Sequence, residues 1–137
     1  MHRPRLAVAA LVVGSLVGGG ILAGCGGDDA AAPPELSAAG ERGAAIAEAN
    51  GCTSCHTADG SRAEGPTWKD LAGSERELES GETVVADDAY LERAILASRE
   101  ELVAGYPPIM PVYEAQLDEA EVADLIAYLH DLSSNAP

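Results

Sequence analysis

The clearest pattern of apolar and polar positions lies near the end of the chain. Apolar side chains recur there at helical spacing, at Val122, Leu125, Ile126 and Leu129. Asp118 precedes them as an N-cap, and Glu121 lies three residues later, so the pair predicts a capping box. Leu117 and Val122 are spaced for a hydrophobic staple across this start. We therefore predict an amphipathic helix that begins directly after Asp118.

A first helix is predicted over residues 37–50. This stretch is rich in alanine, which favours helix, and Ser37 is suited to the N-cap. The pair Asn50-Gly51 then stops the helix. Residues 57–72 are predicted to be mostly loop, because glycines and prolines recur there and interrupt regular structure.

A hairpin and a second helix follow the loop. Ser80-Gly81 separates two short polar and apolar runs, which indicates a small β-hairpin near residues 77–85. Asp87 or Asp88 then caps a helix that runs to about Ser98. The apolar residues that would face inward from it are Leu91, Ala94 and Ile95. Prolines exclude regular helix from residues 105–111.

The start of the chain carries an export signal. Arg3 and Arg5 precede an apolar run over residues 6–23, which ends in Leu22-Ala23-Gly24-Cys25. These last four residues resemble a bacterial lipobox. We predict that residues 1–24 are a lipoprotein signal peptide and that Cys25 is lipidated. An uncleaved transmembrane anchor is the alternative, because the run has about the minimum spanning length.

Residues 25–36 read as a lipidated N-terminus followed by a flexible linker. They are small and acidic and contain a Pro-Pro break, so they would reach roughly 20 Å on average. Residues 37–137 then form one domain, which is large enough for one modest core. Either reading of the signal places this domain outside the cytoplasm, anchored to the cell membrane.

The net charge limits the classes of partner that the chain could bind. The chain has 8 Lys and Arg against 23 Asp and Glu, a formal net charge of −15. Nucleic-acid binding is disfavoured, because contacts to phosphate need basic side chains. The acidity fits electrostatic steering towards a basic partner or simply a soluble surface, and the sequence does not separate the two.

Residues 52–56, Cys-Thr-Ser-Cys-His, form the attachment pattern for a c-type haem. One helical turn brings both thiols and the imidazole to the same face. Cys52 and Cys55 would form thioethers to the porphyrin, and His56 would bind the iron. A structural zinc site needs four ligands, and a redox dithiol expects a βαβ context that the chain lacks.

A second axial ligand is needed on the far side of the haem. Once the signal peptide is removed, Met110 is the methionine that remains, and the prolines around it stiffen its loop. We predict that Met110 binds the iron; filling of the core is the alternative. His130 is a rival, but a histidine near a helix C-terminus favours the surface.

On these residues the chain resembles class I cytochromes c over residues 38–134. It is most similar to the cytochrome c domain fused to subunit II of some bacterial haem-copper oxidases. The stretches that carry this resemblance are residues 51–57 (GCTSCHT), 65–68 (GPTW), 88–91 (DAYL), 105–111 (GYPPIMP) and 125–129 (LIAYL). The resemblance implies an all-α fold, with three to five helices around one covalently bound haem c and the small hairpin.

The resemblance also implies roles for individual residues. The Pro66 carbonyl would accept a hydrogen bond from the His56 ring, unless Pro66 is a plain loop proline. Trp68 would lie at the haem edge, within reach of a propionate, or pack as a core aromatic. Gly43 and Tyr128 would meet where the first and last helices cross. Ala47 stands where the family often has an aromatic residue, so we expect a less tightly packed crossing.

The predicted function is that of a membrane-anchored electron carrier rather than an enzyme. It would pass single electrons from a quinol-oxidising complex to a terminal oxidase or reductase. One alternative is a haem-binding subunit of a larger oxidase or dehydrogenase complex. A haem peroxidase or gas sensor is another, but it needs an open distal position, which Met110 would close.

Overall fold

The computed structural model describes residues 34–133. The predicted signal peptide, Cys25 and most of the predicted linker lie outside the described residues. Three α-helices and a two-stranded antiparallel sheet make up the regular structure. Their bounds are α1 Ala38–Ala49, β1 Glu75–Glu77, β2 Thr83–Val85, α2 Asp88–Leu96 and α3 Glu119–Asp131. The expectation of a mainly helical fold with a small hairpin is confirmed.

Side-chain caps fix where each helix begins. Ser37 Oγ accepts the N–H of Gly40, and Asp87 Oδ1 accepts the N–H of Tyr90. The predicted capping box is present at α3, where Asp118 and Glu121 accept each other's backbone N–H at 2.9 Å. These short-range bonds satisfy donors that the first turn leaves free, so the starts of the helices follow from the sequence.

The end of α2 differs from the prediction. The helix stops at Leu96 rather than near Ser98, because Ala97 leaves the helical region with φ −123° and ψ 48°. Leu91 is buried as predicted, while Ala94 and Ile95 are only partly buried against the core.

The hairpin is short and ends in a tight turn. Glu77 pairs with Thr83, and the N–H of Leu78 donates to the Glu82 carbonyl at 2.8 Å. Gly81 has φ +83°, a conformation that glycine adopts at little cost. Pairing begins at Glu75, slightly earlier than predicted.

The α1–α3 crossing is very close. A Cβ placed on Gly43 would collide with the Asp124 carbonyl and lie 2.9 Å from Tyr128 Cβ. Ala47 is completely buried in the same cluster as Leu125 and Leu129. The expected meeting of Gly43 and Tyr128 is therefore present, whereas the looser packing expected from Ala47 is not.

The part of the chain that the structure describes contains no helix long and apolar enough to span a membrane.

Candidate functional site

The Cys-Thr-Ser-Cys-His motif forms one tight helical turn after α1. Gly51 has φ +71° and ends the helix, and a short 3₁₀ turn follows at Cys52–Ser54. The backbone N–H groups of Cys55 and His56 both donate to the Cys52 carbonyl, at 3.1 and 3.0 Å. The motif thus has the compact turn that shared attachment of one ligand requires, and both cysteines are free thiols.

His56 is held in one tautomer. Its Nδ1 lies 2.7 Å from the Pro66 carbonyl oxygen, which can only accept, so Nδ1 carries the proton. Burial lowers the pKa of His56, and the bond to Pro66 only partly opposes this effect. The ring is therefore neutral near pH 7 and its Nε2 lone pair is free. Such a carbonyl partner typically orients a metal-binding imidazole.

Two neighbours restrain the faces and edges of the His56 ring. Trp68 stacks on it, with ring centroids 5.1 Å apart and planes 12° apart. A Cβ on Gly65 would lie 2.6 Å from His56 Cε1, so only glycine leaves the ring in place. Trp68 in turn meets the Tyr128 ring edge-on at 5.7 Å. Trp68 is thus a buried aromatic that also supports His56, a stack that sequence reasoning missed.

A deep, mostly apolar cavity lies beside His56. Its space is about 1040 Å³, counting the part open to solvent. A mostly apolar lining with a few polar groups is typical of a site for an organic ligand. Among the residues that line it are Cys52, His56, Trp68, Tyr90 and Met110. An adjoining space also contacts Cys55, so both cysteines border the same cleft.

Met110 lines the cavity from a different loop. Ser98 Oγ lies 3.0 Å from the carbonyl oxygens of both Met110 and Pro111 and so ties the loop to the end of α2. The prolines before Met110 restrict its backbone further. The cleft therefore brings together a neutral imidazole and a thioether from segments far apart in sequence.

Arg76 has an unsatisfied buried atom at this cavity. Within residues 34–133, its Nε is the one buried side-chain nitrogen or oxygen that has no hydrogen-bond partner. Arg76 lines the cavity together with Tyr90, which is 3% exposed. Burial raises the pKa of Tyr90 and the nearby Arg76 charge lowers it less, so the hydroxyl remains a donor.

A buried guanidinium N–H without an acceptor is costly, and an anion would satisfy it. A haem fits this requirement, since its ring is apolar and its two propionates are anionic. The residues present are thus compatible with the cofactor predicted from the sequence. Neither Arg76 nor Tyr90 was singled out for this role, because strand and helix positions that face a cavity carry no local motif.

Cys52 and His130 complete the set of candidate residues. Burial raises the pKa of the Cys52 thiol, and a hydrogen bond with Tyr113 partly offsets this. His130 lies outside the cavity, where its Nε2 is 2.6 Å from Asp88 Oδ1 and links α3 to α2. Within residues 34–133, no three His, Cys, Asp or Glu side chains cluster as a metal site would require.

Comparison with known proteins identifies the family of the chain. A family model described as cytochrome c matches residues 40–133, which is more than half of the chain. No curated protein matches the sequence.

Proposed function

Because the chain belongs to the cytochrome c family, we propose that it is a monohaem electron carrier anchored to the outer face of a cell membrane. It accepts single electrons from a quinol-oxidising complex and passes them to a terminal oxidase or reductase. The observation that carries this proposal is that a neutral His56 and Met110 line one apolar cavity beside the cysteine pair.

Each residue of the cleft has a separate task. The thiols of Cys52 and Cys55 would attach the haem, and His56 Nε2 and Met110 Sδ would hold its iron. When bound, the haem supplies reversible one-electron chemistry at iron. Ligation by histidine and methionine raises the reduction potential relative to two histidines, which suits delivery to a strong oxidant.

The surrounding residues orient the haem and exclude water. Pro66 fixes the tautomer of His56, and Trp68 keeps the ring from rotating. Arg76 and Tyr90 offer donors to a haem propionate, the role for which Trp68 was the candidate from sequence. Apolar side chains of α2 and α3 complete the pocket and keep the local dielectric low.

The anchor and the partners rest on the sequence. A lipid on Cys25 and the linker over residues 25–36 would keep the domain within reach of membrane complexes. The acidic composition suits docking to a basic face on a partner protein. The likeness to the domain of oxidase subunit II favours a haem-copper oxidase as the acceptor. Stable membership of such a complex is the second arrangement that this likeness supports.

The ligand assignment is tested by absorption spectra of the exported protein in both oxidation states. We expect the weak long-wavelength band of a methionine–iron bond in the oxidised wild type and its loss in Met110→Ala. Ile109→Ala is the matched control, since Ile109 is the exposed neighbour and its loss should leave the band intact. Persistence of the band in Met110→Ala contradicts the assignment.

The anchor is tested by fractionation of cells. We expect the wild type in the membrane fraction and Cys25→Ser in the soluble extracytoplasmic fraction. A Cys25→Ser protein that stays wholly in the membrane contradicts lipidation as the anchor. Co-purification of the wild type with an oxidase after mild detergent extraction indicates a stable subunit rather than a mobile carrier.

A further inference from the structure

We propose that Arg62 is a positioning residue that latches the methionine loop shut and so keeps Met110 on the iron. This inference rests on the proposed function, since it assumes that Met110 is the axial ligand. Arg62 lies in the loop that follows His56, and it contacts the loop that ends at Met110. The contact therefore joins the two sides of the cleft.

Two interactions form the latch. Arg62 Nη2 donates to the Gly105 carbonyl oxygen at 3.2 Å. The guanidinium carbon also lies 5.1 Å from the centroid of the Tyr106 ring, within the range of a cation–π contact. A planar guanidinium can donate sideways and stack at the same time, whereas a lysine ammonium does not reproduce both contacts.

The position of Tyr106 links the latch to the cavity. Its half-buried side chain lines the cavity, while Arg62 is exposed and covers the ring. Pulling Arg62 away would therefore uncover one wall of the cleft. Since Tyr106 is followed directly by two prolines, motion at this end is transmitted along a stiff segment to Met110.

The rest of the loop depends on contacts from its own side. Ser98 holds the carbonyls of Met110 and Pro111 from the end of α2. Between residues 57–67 and 105–111, the Arg62–Gly105 bond is the one hydrogen bond that the described structure contains. Arg62 is thus the hydrogen-bonding link between these two loops, while Tyr113, beyond the methionine loop, keeps its own bond to the Asn50 carbonyl.

Binding of carbon monoxide to the reduced protein measures this directly. Carbon monoxide can bind the iron only after Met110 Sδ has left, so its binding rate reports how often the loop opens. We expect slow binding in the wild type and about fivefold faster binding in Arg62→Ala, given the usual strengths of the two lost contacts. Arg62→Lys should lie between the two.

Two substitutions at Tyr106 test the cation–π contact without removing the Arg62 charge. Tyr106→Phe keeps the ring and should bind carbon monoxide like the wild type. Tyr106→Leu removes it and should accelerate binding, with little further acceleration when Arg62→Ala is added. Because the Tyr106 variants keep Arg62 itself, they also test the latch if Arg62→Ala fails to retain its haem.

Arg42→Ala is the matched control. It removes a guanidinium with two short bonds to Asp124 at the helix crossing, away from the cleft. It should lower stability and leave the rate of carbon monoxide binding unchanged. Equal rates in wild type and Arg62→Ala would overturn the latch. Fast binding already in the wild type, without a methionine–iron band, would instead overturn the ligand assignment.

Discussion

The α1–α3 crossing and the haem cleft are built in opposite ways. At the crossing, Gly43 packs directly on the Asp124 backbone and Ala47 is completely buried. Every buried side-chain nitrogen or oxygen that the structure describes there has a hydrogen-bond partner. At the cleft, a large cavity separates the loops, and Arg76 Nε lacks any protein partner.

The difference shows which part of the fold the chain completes by itself. The crossing has protein atoms on both sides and gains its stability from close packing. The cleft is lined mostly by apolar side chains, and its buried Arg76 Nε has no partner in the chain, so a bound haem would cover the first and pair the second. We infer that the two regions respond differently to change: the crossing to added volume, and the cleft to loss of groups that serve the cofactor.

The largest effect is expected from Gly43→Ala. The added methyl group would meet the Asp124 carbonyl, which cannot move without shifting α3. We expect the free energy of unfolding to fall by about 3 kcal/mol, the upper part of the range for overpacking. Denaturant titration of the haem protein measures it.

Gly40→Ala is its control. There the new methyl group would meet the Asp131 carboxylate, a side-chain end that can turn away without moving α3, at the cost of its bonds from Ser37. A loss in Gly40→Ala as large as in Gly43→Ala would show that backbone contact is not what makes the crossing tight.

The second-largest effect on stability is expected from Arg76→Met. If the guanidinium is paired with a propionate, its loss leaves that carboxylate buried alone and lowers the free energy of unfolding by about 1–3 kcal/mol. Loss of the cation also raises the pKa of the propionate. The pH-dependent part of the reduction potential should therefore shift towards neutral pH.

Arg99→Met, at an exposed arginine, is the control and should alter neither the free energy of unfolding nor the reduction potential. A more stable Arg76→Met protein would contradict the pairing, because replacing an unpaired buried charge by an apolar chain is stabilising.

Gly65→Ala tests how tightly the cleft holds His56. The new Cβ would lie 2.9 Å from both ring nitrogens and push the imidazole off the Pro66 carbonyl. We expect a shifted reduction potential and a loss of about 1 kcal/mol in stability. Gly43→Ala should leave the reduction potential unchanged. Equal reduction potentials in the wild type, Gly65→Ala and Gly43→Ala would contradict the contrast between the crossing and the cleft.

The smallest effect concerns the ion pair on the crossing. Arg42 holds Asp124 with bonds of 2.6 and 2.7 Å and lowers the pKa of that carboxyl below its ordinary 3.8. The pair therefore stabilises the fold fully above about pH 3.8, and the contribution is lost as the pH falls through the lowered pKa.

Asp124→Asn should accordingly be less stable than the wild type at neutral pH, by an amount that shrinks in acid. In an Arg42→Ala background the Asn substitution should have no such pH dependence. Unfolding curves at several pH values measure both, and a difference that stays constant down to acid pH would argue against the pair.

The regions also differ in how much of them the sequence predicts. The starts of the helices follow from Ser37, Asp118 and Glu121, because a cap acts over three residues. The haem motif and the methionine on the proline-rich loop are also local patterns. The paired cysteines, His56 and Met110 could therefore be predicted from the sequence, and the structure places them around one cleft.

The remaining contacts of the cleft join distant segments. Trp68 on His56 and Arg62 on Tyr106 leave no mark in local spacing. Arg76 lies on a strand whose neighbours are charged, so nothing in its surroundings distinguishes it from a solvent-facing residue. Only the fold shows that its Nε is buried. The end of α2 was misjudged for a related reason, since no cap or glycine marks Ala97.

The junction of Ser37 with Asp131 has a mechanical consequence. The backbone N–H and the hydroxyl of Ser37 both donate to Asp131 Oδ2 at 2.8 Å, which fastens the entry of α1 to the last residue of α3. A pull on the chain before Ser37 is therefore borne by these two helices. The loops that carry His56 and Met110 are not part of this connection between α1 and α3. Tension on a tether before Ser37 would therefore leave the redox centre undistorted.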